Sequence, residues 1–74
     1  MNNIVIAFPK KEVANSIKKI LAQSGYTVTA VANTGALALS SMNGLNMGII
    51  ICGSRFSDMM YSVIYEYMPN EFQL

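Results

Sequence analysis

The sequence predicts an α/β fold, a three-stranded parallel sheet with flanking helices in the order βαβαβα, and three observations predict it. Ile4-Val5-Ile6-Ala7 and Met47 to Cys52 are apolar runs without polar alternation, the pattern of strands covered on both faces. Between and after them the hydrophobic period changes to that of amphipathic helices. The connections are only a few residues long, and such alternation argues for right-handed crossovers between parallel strands.

Each element has its own local reason. From Pro9 to about Ser24, Val13, Ile17, Ile20 and Leu21 fall on one helical stripe, with Lys11, Asn15, Lys18 and Ala22 opposite. Pro9 suits a first helical position, Glu12 favours the positive amino end, and Gly25 ends the helix where a left-handed residue is tolerated. Tyr26 to Val31 is dense in β-branched residues and reads as a second strand, with one wetter face, at a sheet edge. Asn33-Thr34-Gly35 makes a turn, and Ala36 to about Met42 is a short alanine-rich helix closed by Asn43-Gly44. Met47 to Cys52 is the most hydrophobic strand and so a central one. Asp58 is expected to cap a last helix whose stripe is Met59, Met60, Val63, Ile64 and Tyr67, ending before Pro69.

The chain has 74 residues, one small domain or part of one, of which 53% are hydrophobic and 12% charged. The charged share is about half the usual ~25%, which excludes a disordered chain. So many apolar residues on so small a body predict a contiguous exposed apolar patch, the mark of a partner surface or of a fold whose remainder lies elsewhere. One cysteine and no histidine exclude an internal disulfide, a zinc site of cysteine and histidine, and any catalytic pair built on histidine. Cys52, after three isoleucines, reads as a buried strand thiol. No apolar run approaches the ~20 residues of a membrane span. The amino end lacks the pattern of a signal peptide, so the expected location is cytoplasmic, away from membranes.

Net charge is +1, but the signs are segregated: Lys10, Lys11, Lys18, Lys19 and Arg55 precede Phe56 against Glu12 alone, whereas Asp58, Glu66 and Glu71 follow it. Four lysines without interleaved aromatics read as the solvated face of a helix rather than an RNA-binding stripe. The turn after the first strand, Ala7-Phe8-Pro9-Lys10-Lys11, has no glycine, so neither a dinucleotide fingerprint nor a P-loop is present. A small nucleotide- or phosphate-binding protein using Lys10 and Lys11 at the helix start is the alternative reading.

Ile4 to Ala7, the helix to Ser24, Gly25-Tyr26, Gly35-Ala36-Leu37-Ala38-Leu39, and Ile49 to Cys52 followed by Ser57-Asp58-Met59-Met60 resemble the first three βα units of a receiver domain. Receivers are the phosphoacceptor modules of bacterial response regulators in two-component signal transduction. Cys52-Gly53-Ser54-Arg55-Phe56-Ser57-Asp58 is similar to the corresponding segment of regulators that join such a domain to an ANTAR RNA-binding, antitermination domain. The resemblance covers Asn3 to Pro69. It implies a strand order of 2-1-3, as in a truncated flavodoxin-like receiver, and a single truncated domain over residues 1–74 whose output domain is absent.

The departures from the family set the functional expectation. A receiver phosphorylates an aspartate at the end of its third strand and holds Mg²⁺ with an acidic pair after its first. By resemblance the phosphoacceptor position falls on Gly53 and the metal pair on Phe8 and Pro9, none of which carries a carboxylate. The expectation is a phosphorylation-incompetent pseudo-receiver: a non-enzymatic regulatory module with no catalytic residue, no cofactor and no metal. RNA would be met only through the absent output domain.

Protein contacts remain as the means of action. Phe56, Met59, Met60, Tyr61, Tyr65, Tyr67, Met68 and Phe72 crowd the last stretch. Met60, Val63, Ile64 and Tyr67 are expected in the core, and Tyr61 and Tyr65, flanking them, at an interface; a regulatory protein is a possible partner. With no fourth strand, Ile49, Ile50 and Ile51 would line an open apolar edge, which predicts a homo-oligomer joined along the third strand, through the adjoining helix with Tyr61 and Tyr65, or by exchange of an element between chains.

Overall fold

A computed structural model describes residues 3–45, 47–68 and 72–73. Strands β1 (Asn3–Ala7), β2 (Ala30–Ala32) and β3 (Gly48–Cys52) alternate with helices α1 (Lys11–Gln23), α2 (Gly35–Asn43) and α3 (Tyr61–Tyr67). The three strands pair in parallel in the order 2-1-3, with Val5 opposite Ala30 on one side and Ile50 on the other. A two-residue β4 (Phe72–Gln73), absent from the sequence expectation, adds in parallel beside Gly48 and Ile49. Pro69 and Glu71 lie outside the described residues, as does the side chain of Phe72.

Period-two alternation divides the strands between two cores. Val5, Ala7 and Ile50 face α2 and α3, where Ala38, Met42, Phe56 and Ile64 close over them. Ile4 and Ile6 face α1, meeting Ala14 with Ile17, Leu21, Val28 and Ile51 around them. Ile6, Met42, Ile50, Ile64 and Val5 are the largest fully buried side chains. Each contributes roughly 1.5–3 kcal/mol by leaving water. The Cα radius of gyration, 11.2 Å, is that of a fully folded chain of this length, about 11 Å.

Gly25 takes φ +90°, the left-handed conformation expected of it at the end of α1. The extent of β2 differs from expectation. Only Ala30–Ala32 pairs as a strand; Tyr26 to Thr29 is a loop fastened at each end, Tyr26 N–H donating to the Leu21 carbonyl at 2.9 Å and Thr29 N–H to that of Ile4 at 2.8 Å. Apart from that one bond to β1, its strand-like composition does not extend the ladder ahead of Ala30.

The stripe of α1 is also rotated. Ala14 is buried and Ile17 and Leu21 are half-buried, while Val13 and Ile20 are 40% and 61% exposed. On α3 only Ile64 is buried; Met60, Val63 and Tyr67, expected in the core, are exposed. The reason is that α3 begins at Tyr61, after a compact hairpin spanning Ser54 to Tyr61. In it Arg55 bridges Met60, Phe56 N–H donates to the Met59 carbonyl at 2.9 Å and Tyr61 N–H to that of Ser54 at 3.1 Å. Phe56 and Met59 thereby take the core space that a longer helix would have filled.

Candidate functional site: the carboxyl rim of the sheet

In an open parallel sheet, ligands bind beyond the carboxyl ends of the strands where successive connections depart to opposite faces. Here α1 leaves β1 toward one face, and the chain leaving β3 packs on the other. Phe8 and Pro9 follow β1 and Gly53 follows β3 at this rim.

Gly53 N–H donates to the Ala7 carbonyl at 2.8 Å and Phe8 N–H to that of Ala32 at 3.1 Å, which fixes the two turns side by side. A Cβ built on Gly53 would stand 3.0 Å from Phe8 Cδ1, 3.4 Å from its Cε1 and 3.4 Å from Pro9 Cδ. The aromatic ring and the proline therefore lie directly against the glycine. The fold brings together the three positions singled out by resemblance, and what meets Gly53 there is an aromatic ring and a proline.

The polar groups around this rim are placed otherwise. Lys10, the residue capping α1, is extended and gives no side-chain cap, and both Lys10 and Lys11 are exposed. Cys52 is half-buried; burial pushes its thiol pKa up, and Sγ donates to the Gly53 carbonyl at 3.2 Å. Among the described residues, no three histidine, cysteine, aspartate or glutamate side chains gather as metal ligands.

Asp58 is a helix cap, but of a different helix from the one expected. Its two carboxylate oxygens accept from Gly35 N–H at 2.8 Å and Ala36 N–H at 2.9 Å, at the amino end of α2. These bonds, that to Gly35 foremost, pull its pKa below the ordinary value. Thr34 Oγ1 caps the same helix by accepting from Leu37 N–H at 3.1 Å. Sequence reasoning missed the partnership; threonine ahead of an alanine-leucine run is the signal that finds Thr34, whereas no local signal finds Asp58.

The expected interface residues separate into three groups. Tyr61 and Tyr65 are 44% and 59% exposed. Ile49 is exposed on the α1 face and Ile51 half-buried there. Ile50 is buried at 1% under α2 and α3, so its side chain cannot line a surface. No helix among the described residues is long and apolar enough to cross a membrane. Comparison with family models, curated proteins and solved structures found no match.

Proposed function

We propose that the chain is a non-enzymatic regulatory module, a receiver-like domain that takes no phosphate and acts through protein contacts in bacterial transcription or antitermination control. The observation that carries this is the packing of Phe8 and Pro9 against Gly53 at the switch point. Phosphoryl transfer there needs a carboxylate nucleophile and oxygen ligands that hold Mg²⁺ against the charge of the moving group. A ring, a proline and a glycine offer neither. Asp58, the acid nearest in sequence, is occupied at α2 by both oxygens.

Contact surfaces are what the chain does offer. Tyr61 and Tyr65 stand one helical turn apart on α3, in solvent, beside exposed Met60. Aromatic and methionine side chains supply large, adaptable contact areas, and this face is assigned to a regulatory protein partner. RNA contact belongs to an output domain of the ANTAR type. The chain also associates with its own kind: among the described residues, β4 pairs with β3 only beside Gly48 and Ile49.

A thermal-shift screen of nucleotides and phosphorylated metabolites tests the reading against the phosphate-binding alternative. The expected result is no stabilisation by any of them. A ligand that raises the melting temperature of the native chain, and does nothing to the Lys10→Ala, Lys11→Ala double variant, would replace this reading with the alternative.

A further inference from the structure

Self-association needs a surface that is complementary to itself, and α1 carries one outside both the β3 edge and the α3 face. At about 100° per residue, seven positions bring a helix back to within about 20° of its starting direction and about 10.5 Å along its axis. Val13 and Ile20, both exposed, therefore share one row on a flank of α1, beside the side on which Ala14 and Leu21 meet the sheet. Glu12 and Lys19, also seven apart and exposed, share the adjoining row farther from the sheet. Ser16 lies between the rows near their midpoint. Its hydroxyl donates to the Glu12 carbonyl at 2.9 Å, so it is satisfied within its own helix and is short enough for a second backbone to approach.

The two charges have no counterpart on α1. Three and four positions from Glu12 stand Phe8, Pro9, Asn15 and Ser16; from Lys19 they are Asn15, Ser16, Ala22 and Gln23. Within the helix, neither can form the usual spaced ion pair.

We propose that α1 is a self-recognition surface of this protein in addition to the β3 edge, pairing antiparallel with α1 of a second copy about a two-fold axis near Ser16. In that arrangement Val13 meets the partner's Ile20, and Glu12 meets the partner's Lys19. The two-fold returns each flank of the helix to itself, so the apolar contacts lie on the side toward the two sheets and the ion pairs on the other. A parallel pair would exchange the flanks and set Glu12 against the partner's Val13 and Lys19 against the partner's Ile20, leaving both charges unmatched, so the antiparallel pair is selected. A single helix of 13 residues buries less than the ~1,600 Å² of a standard interface, which makes this a weak, exchanging dimer. The proposal rests on the reading of the chain as a contact module that binds its own copy.

Sedimentation equilibrium on the 74-residue chain tests it, with Glu12→Lys, Lys19→Glu, the double reversal and an equimolar mixture of the two single variants. Both side chains are solvent-exposed, and circular dichroism melting confirms that each variant is folded. The native chain is expected to dimerise around ~100 µM, and each single reversal to weaken dimerisation about tenfold. The double reversal restores it, and the mixture restores it as a heterodimer. A native dimer indifferent to the single reversals, or a mixture no tighter than its components, overturns the α1 pairing and leaves the contact-module reading standing. A native chain monomeric throughout overturns self-association itself, while the absence of phosphoryl chemistry is tested separately.

Discussion

The Asp58 carboxylate accepts a hydrogen bond from the Gly35 backbone N–H at 2.8 Å, fastening the hairpin after β3 to the amino end of α2. Helix amino ends leave N–H groups without partners, and a carboxylate satisfies them while meeting the positive end of the helix dipole. The bond therefore joins two segments 23 residues apart, and disturbing it loosens the α2 layer together with the loop that leads to α3.

The first prediction concerns pH. The Asp58 pKa is lower in the folded chain than in the unfolded one, chiefly through Gly35 N–H and then Ala36 N–H. Its contribution to stability is therefore fully present above the ordinary aspartate value and is lost as pH falls toward the lowered folded value. Asp58→Asn should lower the melting temperature at pH 7 and flatten its fall in acid. Parallel acid limbs for native chain and variant would mean that the bond contributes nothing.

A second prediction follows from the partner residue. A Cβ on Gly35 would overlap Cγ and Sδ of Met59. Gly35→Ala should therefore destabilise the fold by about 1–3 kcal/mol through overpacking, although alanine is the better helix former. Met59→Ala should recover part of that loss in the double variant, measured by urea denaturation. Strict additivity of the two changes would contradict the overlap.

Ile50 illustrates how a surface variant must be chosen. With the side chain 1% exposed between β1, α2 and α3, Ile50→Lys places a charge in the core and should abolish cooperative unfolding, whatever happens to the edge of β3. Ile64→Ala, a cavity in the same core, should cost about 2–5 kcal/mol. Tyr65→Ser, by contrast, should change stability by no more than about 0.5 kcal/mol, because its side chain is 59% exposed. A cooperative melt of Ile50→Lys at the native temperature would show that the residue is not core.

Much of the fold was legible in the sequence where the pattern is set by burial. The unbroken runs at Ile4 and Ile49 are β1 and β3, and the alternation of elements is the topology. What was not legible is what tertiary contact decides. Asp58 carries the local mark of a cap for the helix that follows it, but its partner is a helix earlier in the chain. Tyr26 to Thr29 has strand composition, yet the β2 ladder begins only at Ala30. Val13 and Ile20 have core character, yet the sheet beneath α1 covers only the adjoining side. At the candidate site, resemblance alone singled out Phe8, Pro9 and Gly53, while the direct contact of Phe8 and Pro9 with Gly53 became visible only in three dimensions.

Gly53→Asp asks whether supplying a nucleophile alone would permit the phosphoryl transfer that the proposal denies this chain. Its Cβ would sit 3.0 Å from Phe8 Cδ1, so the ring must yield by a few tenths of an ångström. The new carboxylate would still face Phe8 and Pro9 rather than a metal pair, and it should take no label from acetyl phosphate. Mg²⁺-dependent labelling of this variant would refute the placing of the metal pair on Phe8 and Pro9.

The central claim, that this receiver-like rim performs no phosphoryl chemistry, is tested most directly on the native chain. Incubation with acetyl phosphate and Mg²⁺ followed by intact mass measurement is predicted to leave the mass unchanged. A gain of one phosphoryl group that requires Mg²⁺ and is removed by hydroxylamine, the mark of an acyl phosphate, would contradict it.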